Sequence, residues 1–436
     1  MNILMLSATF PYPPTRGGTS VRTFNLLKHL KQQGHHIALA THRTSDVTDA
    51  EVASLKSWVD ELAVFPRPAV NKHSSERRGA LGKVQRLLNF AISGVPPSVR
   101  TTHSKPMQSW VTQQIETGQF DAITCEHSVN EAYVPQNIAE HIPTSVVNIH
   151  SSVYGTCAHQ LAGRTAEKPW RDRLNLPLLK RYEKRYCQKF SHLVVTTAED
   201  RAQIAELSGK QNIAVIPNGV DLDLFPMRSQ DPGGQRLVFI GAMDNLPNID
   251  AVTFLAQEIF PQVRHRYPQA TLFLVGARPN AAIRALGQIP GVTVTGQVPE
   301  MTPYLHESTV CVVPMRTGYG IKNKTLEAMA AGIPVVASDR GLEGLTVDSG
   351  VDGGVDSRTV PLRALRANTA KGYAIAIGQL FDSAELRNQL SQNGRALIEA
   401  EYTWAIAGRQ YEQLLVNSIH SSRQYHSSRQ YHSGRQ

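Results

Sequence analysis

The stretch Pro314–Ser338, PMRTGYGIKNKTLEAMAAGIPVVAS, decides how the rest of the chain is read. An apolar run, Val310–Val313, leads into it as a short buried strand. A loop with two glycines and two lysines follows, then a helical pattern from about Asn323. Gly332 closes that helix, and Pro334–Ala337 begins another strand. Strand, loop, helix, strand is the repeating unit of a parallel α/β sheet. In such a unit the helix begins at the C-terminal edge of the sheet, where ligands bind. The free N–H groups of a first turn favour a phosphate there. Lys322 and Lys324 add positive charge, and Glu327, one turn on, is placed to accept hydrogen bonds from a pair of sugar hydroxyls. An ordinary helix with solvated lysines accounts for the same spacing, so periodicity alone leaves both readings standing.

Working outward, the pattern recurs on both sides. Asn2–Ser7 reads as a buried strand, followed by a helix with Val21, Phe24, Leu27 and Leu30 on one face that ends at Gly34. Further strands are expected at His36–Ala40, Ala122–Cys125, Ser145–Ile149 and Leu193–Thr197, with a basic helix at Leu178–Lys189. A second series has strands at Arg236–Gly241, Thr271–Val275 and Val292–Thr295 and a helix at Ile249–Tyr267. Helices at Ser383–Glu399 and Thr403–Ser418 end it. The expectation is an α/β protein of two doubly wound Rossmann-like domains, residues 1–210 and 211–400. A helix at 401–419 returns to the first domain. From His420 the chain reads HSSRQY-HSSRQY-HSGRQ, a tail without aliphatic side chains that is expected to be disordered.

Composition narrows the function. The 436 residues carry 45 Lys+Arg against 36 Asp+Glu, and 41% are hydrophobic, too many for a disordered chain. No apolar run reaches the roughly 18–20 residues that span a bilayer, and the opening MNILMLSATFPYPP lacks the basic start of a signal peptide. The four cysteines stand far apart, which fits buried thiols in a reducing compartment and neither a disulfide framework nor a zinc ribbon. Charge is uneven: residues 1–211 carry a net +8 and residues 212–419 a net −2. A basic front half beside a near-neutral back half implies two domains with different partners. Residues 67–105 hold eight cations (Arg67, Lys72, Arg77, Arg78, Lys83, Arg86, Arg100, Lys105) and one acid, Glu76. Leu81, Val84, Leu88 and Phe90 could form the apolar side of a helix among them, suited to an anionic membrane surface or to packing on its own domain.

Pro314–Ser338 resembles the donor-site signature of the family 4 retaining glycosyltransferases with the GT-B fold, in the branch written G-x-G-I-K-N-K-x-L-E-A-M-A-x-G-x-P-V-V. Phe10–His35 resembles that family's P-P-x-x-G-G-x-x-x-R opening. IPNGVDLDLF, Ile216–Phe225, resembles its interdomain P-N-G-V-D-x-x-x-F, and FIGAMDNLPNIDAVTFLAQEIFP its first nucleotide-domain strand and helix. The resemblance runs from Met1 to about Ser418. It implies two Rossmann-like domains facing across a cleft and transfer of a sugar from a nucleotide-diphosphate-sugar to a glycan, lipid-linked or small-molecule acceptor. Anomeric configuration would be retained, with neither cofactor nor metal. The setting implied is cytoplasmic, at the inner face of a membrane, in surface-polysaccharide or glycoconjugate biosynthesis, and no nucleic-acid partner is expected.

By the same resemblance Glu327 matches the second Glu of the Glu-x7-Glu motif, on the ribose. Gly17 and Gly18 match the loop near donor phosphate and acceptor, and Gly296, Gln297 and Val298 the loop beside the base. His150 matches the histidine near the transferred sugar, and Lys322 is assigned the catalytic neutralisation of diphosphate. Tyr319, Gly320, Asn323 and Lys324 complete the donor set. Three departures stand out. Tyr319 occupies the place of the first Glu. Gly241–Asn248, GAMDNLPN, lacks the usual Arg and Lys, a loss that Lys322 with Arg316 or Lys324 is expected to cover. His150-Ser-Ser-Val replaces the branch's His-Asn-Val-Glu. A non-catalytic nucleotide- or polyanion-binding protein, or a sugar-nucleotide hydrolase or epimerase, remains the alternative. Three motifs are set aside: Asp221-x-Asp223 as a metal site, Asp223 being expected to cap a turn; Asp348, Asp352 and Asp356 as a calcium loop; and His306-Glu307 as a zinc helix.

Overall fold

Ile3–Leu6 are fully buried, as an apolar run covered on both faces of a parallel sheet must be. In the computed structural model they form β1 (Asn2–Ser7), which pairs in parallel with β2 (His36–Arg43) on one side and β4 (Ala122–Cys125) on the other. With β3 (Glu61–Pro66), β5 (Thr144–Asn148), β6 (His192–Val195) and β7 (Ile213–Val215) they make a seven-stranded parallel sheet of order β3-β2-β1-β4-β5-β6-β7. The winding direction reverses between β1 and β4, which opens a crevice at their C-terminal ends. The structure describes residues 1–14, 17–68, 80–150, 152–163, 166, 168–348 and 360–433, without the side chains of 80–84, 86, 87 and 422–433.

The second sheet repeats the plan. β8 (Arg236–Ile240), β9 (Thr271–Val275), β10 (Val292–Gly296), β11 (Val310–Val313), β12 (Val335–Ala337) and β13 (Leu365–Arg366) lie in the order β10-β9-β8-β11-β12-β13, all parallel. Its reversal falls between β8 and β11. The helix expected at Ile249–Tyr267 is Leu246–Phe254, a widened turn at Leu255–Ile259, then Phe260–Arg266. Pro261 has no N–H to give four residues back, and the helix opens just ahead of it.

The chain divides into two compact units, Met1–Ile216 with Ala407–Gln436, and Pro217–Ile406. The boundary expected at residue 210 lies later because β7, three residues long, adds to the first sheet beside β6. Residues 401–406 stay with the second unit. Val220 donates its N–H to Tyr402 O at 2.8 Å, and a Cβ on Gly219 would stand 2.3 Å from Trp404 N, so only glycine fits there.

The last helix runs Trp404–Ser433, through the repeat. Ala407, Tyr411, Leu415 and Ile419 are buried at helical spacing and secure its first half. The repeat has no proline, and no glycine before Gly434, so lengthening an existing helix costs little. In the basic stretch a helix does form, Ala80–Ser93. Phe90 is buried while Leu88 is exposed, so the two do not share one face; Lys72, Arg77 and Arg78 and the side chains of Leu81 and Val84 lie outside the described residues. All four cysteines are free, three of them buried. Among the described residues no helix is long and apolar enough to cross a membrane.

Candidate functional site

At the C-terminal end of β11 the chain turns through Gly318 (φ +118°) and Gly320 (φ +73°) into the helix Asn323–Ala330. Both glycines hold left-handed backbone that side chains resist. No side chain caps this helix, so its first N–H groups are not taken up by one. Asn323 is tied to the interdomain motif by a 2.8 Å bond from Asn218 Nδ2.

The three candidate cations have different partners. Lys322, nearly buried, places Nζ 3.0 Å from Glu343 Oε2 and also donates to Gly320 O. Glu343 in turn accepts from Arg340 Nη1 at 2.5 Å. Arg316 is held by both oxygens of Asp250 at 3.0 and 2.5 Å, with its guanidinium over Phe254. Lys324 donates to the neutral Asn248 Oδ1 at 3.0 Å and lies 5.2 Å over the Phe239 ring. It has no carboxylate within ion-pair distance among the described residues. Burial brings its pKa down to about 8, against the pull of Glu327. The cation that reaches the Gly241–Asn248 loop is therefore Lys324.

Glu327 accepts no hydrogen bond from the described residues, and burial pushes its pKa up to about 7, with Lys324 pulling the other way. Tyr319 is half-buried with an enclosed hydroxyl. A Cβ on Gly276 would meet Gly241 O at 1.8 Å, so the ends of β8 and β9 press together at this edge. Gly296 (φ +71°) ends β10 with open space where a Cβ would stand; Gln297 is exposed and Val298 packs on the core's margin. The structure thus gathers Tyr319, Gly320, Lys322, Asn323, Lys324 and Glu327 at the end of β11. Gly296–Val298 lies on the same edge, three strands away.

In the first unit Gly17 (φ +145°) precedes the helix Gly18–Gln32, which among the described residues also lacks a side-chain cap. Arg22 is buried in that helix and donates to Asn148 Oδ1 at 3.1 Å. Asn148 Nδ2 donates to Glu126 Oε2 at 3.2 Å and to Tyr411 Oη at 3.0 Å, and Tyr411 donates to Glu126 Oε1 at 3.0 Å. Burial lowers the Arg22 pKa to about 10, against the opposing attraction of Glu126, and raises that of Glu126, against Thr124, Arg22 and Tyr411. Sequence reading assigned these four residues no role. Arg22 stands in the quoted opening motif, but its partners lie up to 389 positions away.

His150 meets His127 edge to face at 5.4 Å between ring centres. Burial brings the His127 pKa down to about 4. It lowers that of His150 well below the usual value, helped by His127 and Arg22. Both rings are neutral at neutral pH, and Nε2 of His150 is enclosed without a hydrogen-bond partner among the described residues. Just beyond, Ser152 Oγ and Val153 N donate to Glu183 at 2.5 and 2.6 Å. In the turn where the branch carries its His-Asn-Val-Glu, a carboxylate arrives from the neighbouring helix instead. Burial raises the Glu183 pKa to about 7, against these bonds.

The set-aside motifs resolve locally. Asp221, not Asp223, does the capping, accepting from the N–H groups of Asp223 and Leu224. Asp348 pairs with Arg366; Asp352 and Asp356 lie outside the described residues. His306 Nε2 bonds Pro226 O at 2.8 Å. Among the described residues no three His, Cys, Asp or Glu side chains group as metal ligands do.

The sequence profile of Glycosyltransferase Family 4 matches residues 16–224, and that of Glycosyl transferases group 1 matches residues 234–383. The chain belongs to the family 4, group 1 glycosyltransferases. This family member is 24% identical over 414 residues to the phosphatidyl-myo-inositol mannosyltransferase of Propionibacterium freudenreichii subsp. shermanii, covering 92% of this chain and 91% of that protein. It is 24% identical over 249 residues to the glycogen synthase of Mycobacterium tuberculosis, covering 53% of this chain but only 55% of that enzyme, so it spans about half the length of that curated relative. It also shares the fold of Anabaena HepE in complex with UDP-glucose, at 14% identity and a TM-score of 0.61, covering 96% of this chain and 100% of that one.

Proposed function

We propose that this family member transfers a sugar from a nucleoside-diphosphate-sugar to a glycan, lipid-linked or small-molecule acceptor, with retention of anomeric configuration. One observation carries the reading. At the switch point of the second sheet, Lys324 without a carboxylate partner and Glu327 without a hydrogen-bond donor sit one turn apart at an uncapped helix start. A cation beside free N–H groups suits a diphosphate, and a carboxylate suits the adjacent pair of ribose hydroxyls. HepE, of like fold, is described with UDP-glucose, which supports a donor of this class.

Diphosphate charge grows as the glycosidic bond breaks, so groups fixed beside it before reaction lower the barrier. Lys324 and the helix start supply that field in the second unit. Lys322, clamped by Glu343, holds the preceding turn in shape. His150, neutral and with Nε2 unpartnered among the described residues, can exchange a hydrogen bond with a sugar hydroxyl without bringing charge. The basic first unit takes the acceptor, at the inner face of a membrane.

A thermal-shift panel of UDP-, GDP-, ADP- and dTDP-sugars tests the donor site, followed by turnover with product stereochemistry read by NMR. A stabilising nucleotide sugar and an axial–axial or equatorial–equatorial outcome are expected. Tyr319 in place of the motif's first Glu favours the rival, a nucleotide-binding protein without activity. Binding without turnover would select it, and release of free sugar or epimerised donor would select a hydrolase or epimerase.

A further inference from the structure

The helix Pro169–Lys189 in the first unit has one buried and one exposed face. Leu179, Tyr182 and Tyr186 on the inner face are buried. On the outer face Trp170 is 61% and Leu174 53% exposed, an unusual place for a tryptophan and a leucine one turn apart. Helical spacing continues their stripe through Arg181 and Lys184, flanked by Arg173 and Lys180. None of these four cations has an ion-pair partner among the described residues. The helix has only two acids, Asp172 and Glu183, and both are buried. Among the described residues the outer face therefore carries cations only, with an apolar end.

Position adds to this. Glu183 receives Ser152 Oγ and Val153 N, which follow His150 and mark the level where the strands end. From Glu183 to Trp170 is thirteen residues, about 20 Å of helix. The four-residue strands beside it are about 13 Å long. The Trp170–Leu174 end thus stands well past the sheet edge that carries Gly17 and His150.

We propose that this stripe docks the first unit on an anionic lipid bilayer, with Trp170 and Leu174 entering the headgroup layer and Arg173, Lys180, Arg181 and Lys184 facing lipid phosphates. Charge complementarity selects the bilayer, and the exposed apolar pair distinguishes it from a soluble polyanion, which has no use for them. The inference gives a surface to the membrane part of the proposed function and does not depend on the donor site. A lipid-linked acceptor held at that surface would be presented to the edge bearing His150.

The test is flotation of the full chain with phosphatidylglycerol-containing and with pure phosphatidylcholine vesicles, without nucleotide. Its failure therefore leaves the donor-site reading intact. Binding should require phosphatidylglycerol and fall with added salt. Removing Arg181 and Lys184 together (R181A/K184A) should weaken partitioning by about 25-fold, fivefold per cation. W170S/L174S should lose vesicle binding while keeping its melting temperature and any affinity for dextran sulfate. Absence of phosphatidylglycerol-dependent binding would overturn the proposal. So would unchanged vesicle binding in both variants, or equal loss of dextran sulfate and vesicle binding in W170S/L174S.

Discussion

The two sheets end at crevices of the same topology but treat charge differently. In the first, Arg22, Glu126, Asn148 and Tyr411 are all buried and are linked by hydrogen bonds through Asn148 and Tyr411. The last member arrives on the C-terminal helix and fastens it to the sheet. In the second, Lys322 and Arg316 are neutralised by Glu343 and Asp250, while among the described residues Lys324 and Glu327 have neither counter-ion nor donor in hydrogen-bond contact. A closed network fixes one structure. A pair left open at a cost to the empty protein indicates groups held ready for a ligand.

The largest effect should come from breaking the closed side. Arg22→Met leaves Glu126 buried without its cation and should cost about 3–5 kcal/mol in urea unfolding. Lys324→Met, on the open side, removes a desolvated charge whose partner is only an amide, and should change stability by less than about 1 kcal/mol. Equal costs would break the comparison.

Glu343→Ala removes the carboxylate beside the buried Lys322 ammonium and should cost about 3 kcal/mol. The double change Lys322→Met/Glu343→Leu should recover most of it, because an apolar pair of similar volume replaces a desolvated ion pair. Failure to recover would mean that Glu343 holds more than the lysine.

A smaller effect follows pH. The Glu327 and Glu183 carboxyls have folded-state pKa values raised to about 7. Their contribution is complete below the ordinary carboxylate range and is lost as pH rises through about 7. The empty protein should therefore lose about 2–3 kcal/mol per group between pH 4.5 and 7.5. Glu327→Gln should remove that slope in the second unit and Glu183→Gln in the first. Lys324, lowered to about 8, acts in the opposite direction: its contribution grows between pH 8 and 10.5. Nucleotide affinity should then peak between about pH 7 and 8, and lose its acid limb in Glu327→Gln.

The smallest effect should be truncation. Ile419 is the last buried apolar residue among the described side chains, so a chain ending there should melt within about 1 °C of the full one. A drop of several degrees would mean that the repeat packs.

Much of this was legible in sequence because parallel strands announce themselves as apolar runs: β1, β4, β9 and β11 lie where their residues suggested. β7 and β13, three and two residues long, carry too few side chains to show a pattern, and missing β7 displaced the domain boundary. Glu327 and Lys324 could be paired from sequence because helix spacing places them together within one turn. The Arg22 network gives no such local signal, since Tyr411 meets Glu126 only after the chain has built a second unit and returned. Glu343 was overlooked for the same reason: it belongs to the turn after β12, and only the fold brings it to Lys322. For the tail, composition reports whether a segment can bury a core, not whether an existing helix can run on through it, as Trp404–Ser433 does.

The central claim is that the open pair in the second unit receives a nucleoside diphosphate. Calorimetric titration of wild type and Glu327→Ala with whichever of UDP, GDP, ADP or dTDP stabilises the wild type tests it most directly. Loss of a charge-assisted contact worth about 1.5–3 kcal/mol predicts an affinity about 10–150-fold weaker, in a protein whose melting temperature without ligand is no lower at neutral pH. Equal affinity in the two proteins would contradict the assignment and place the nucleotide elsewhere.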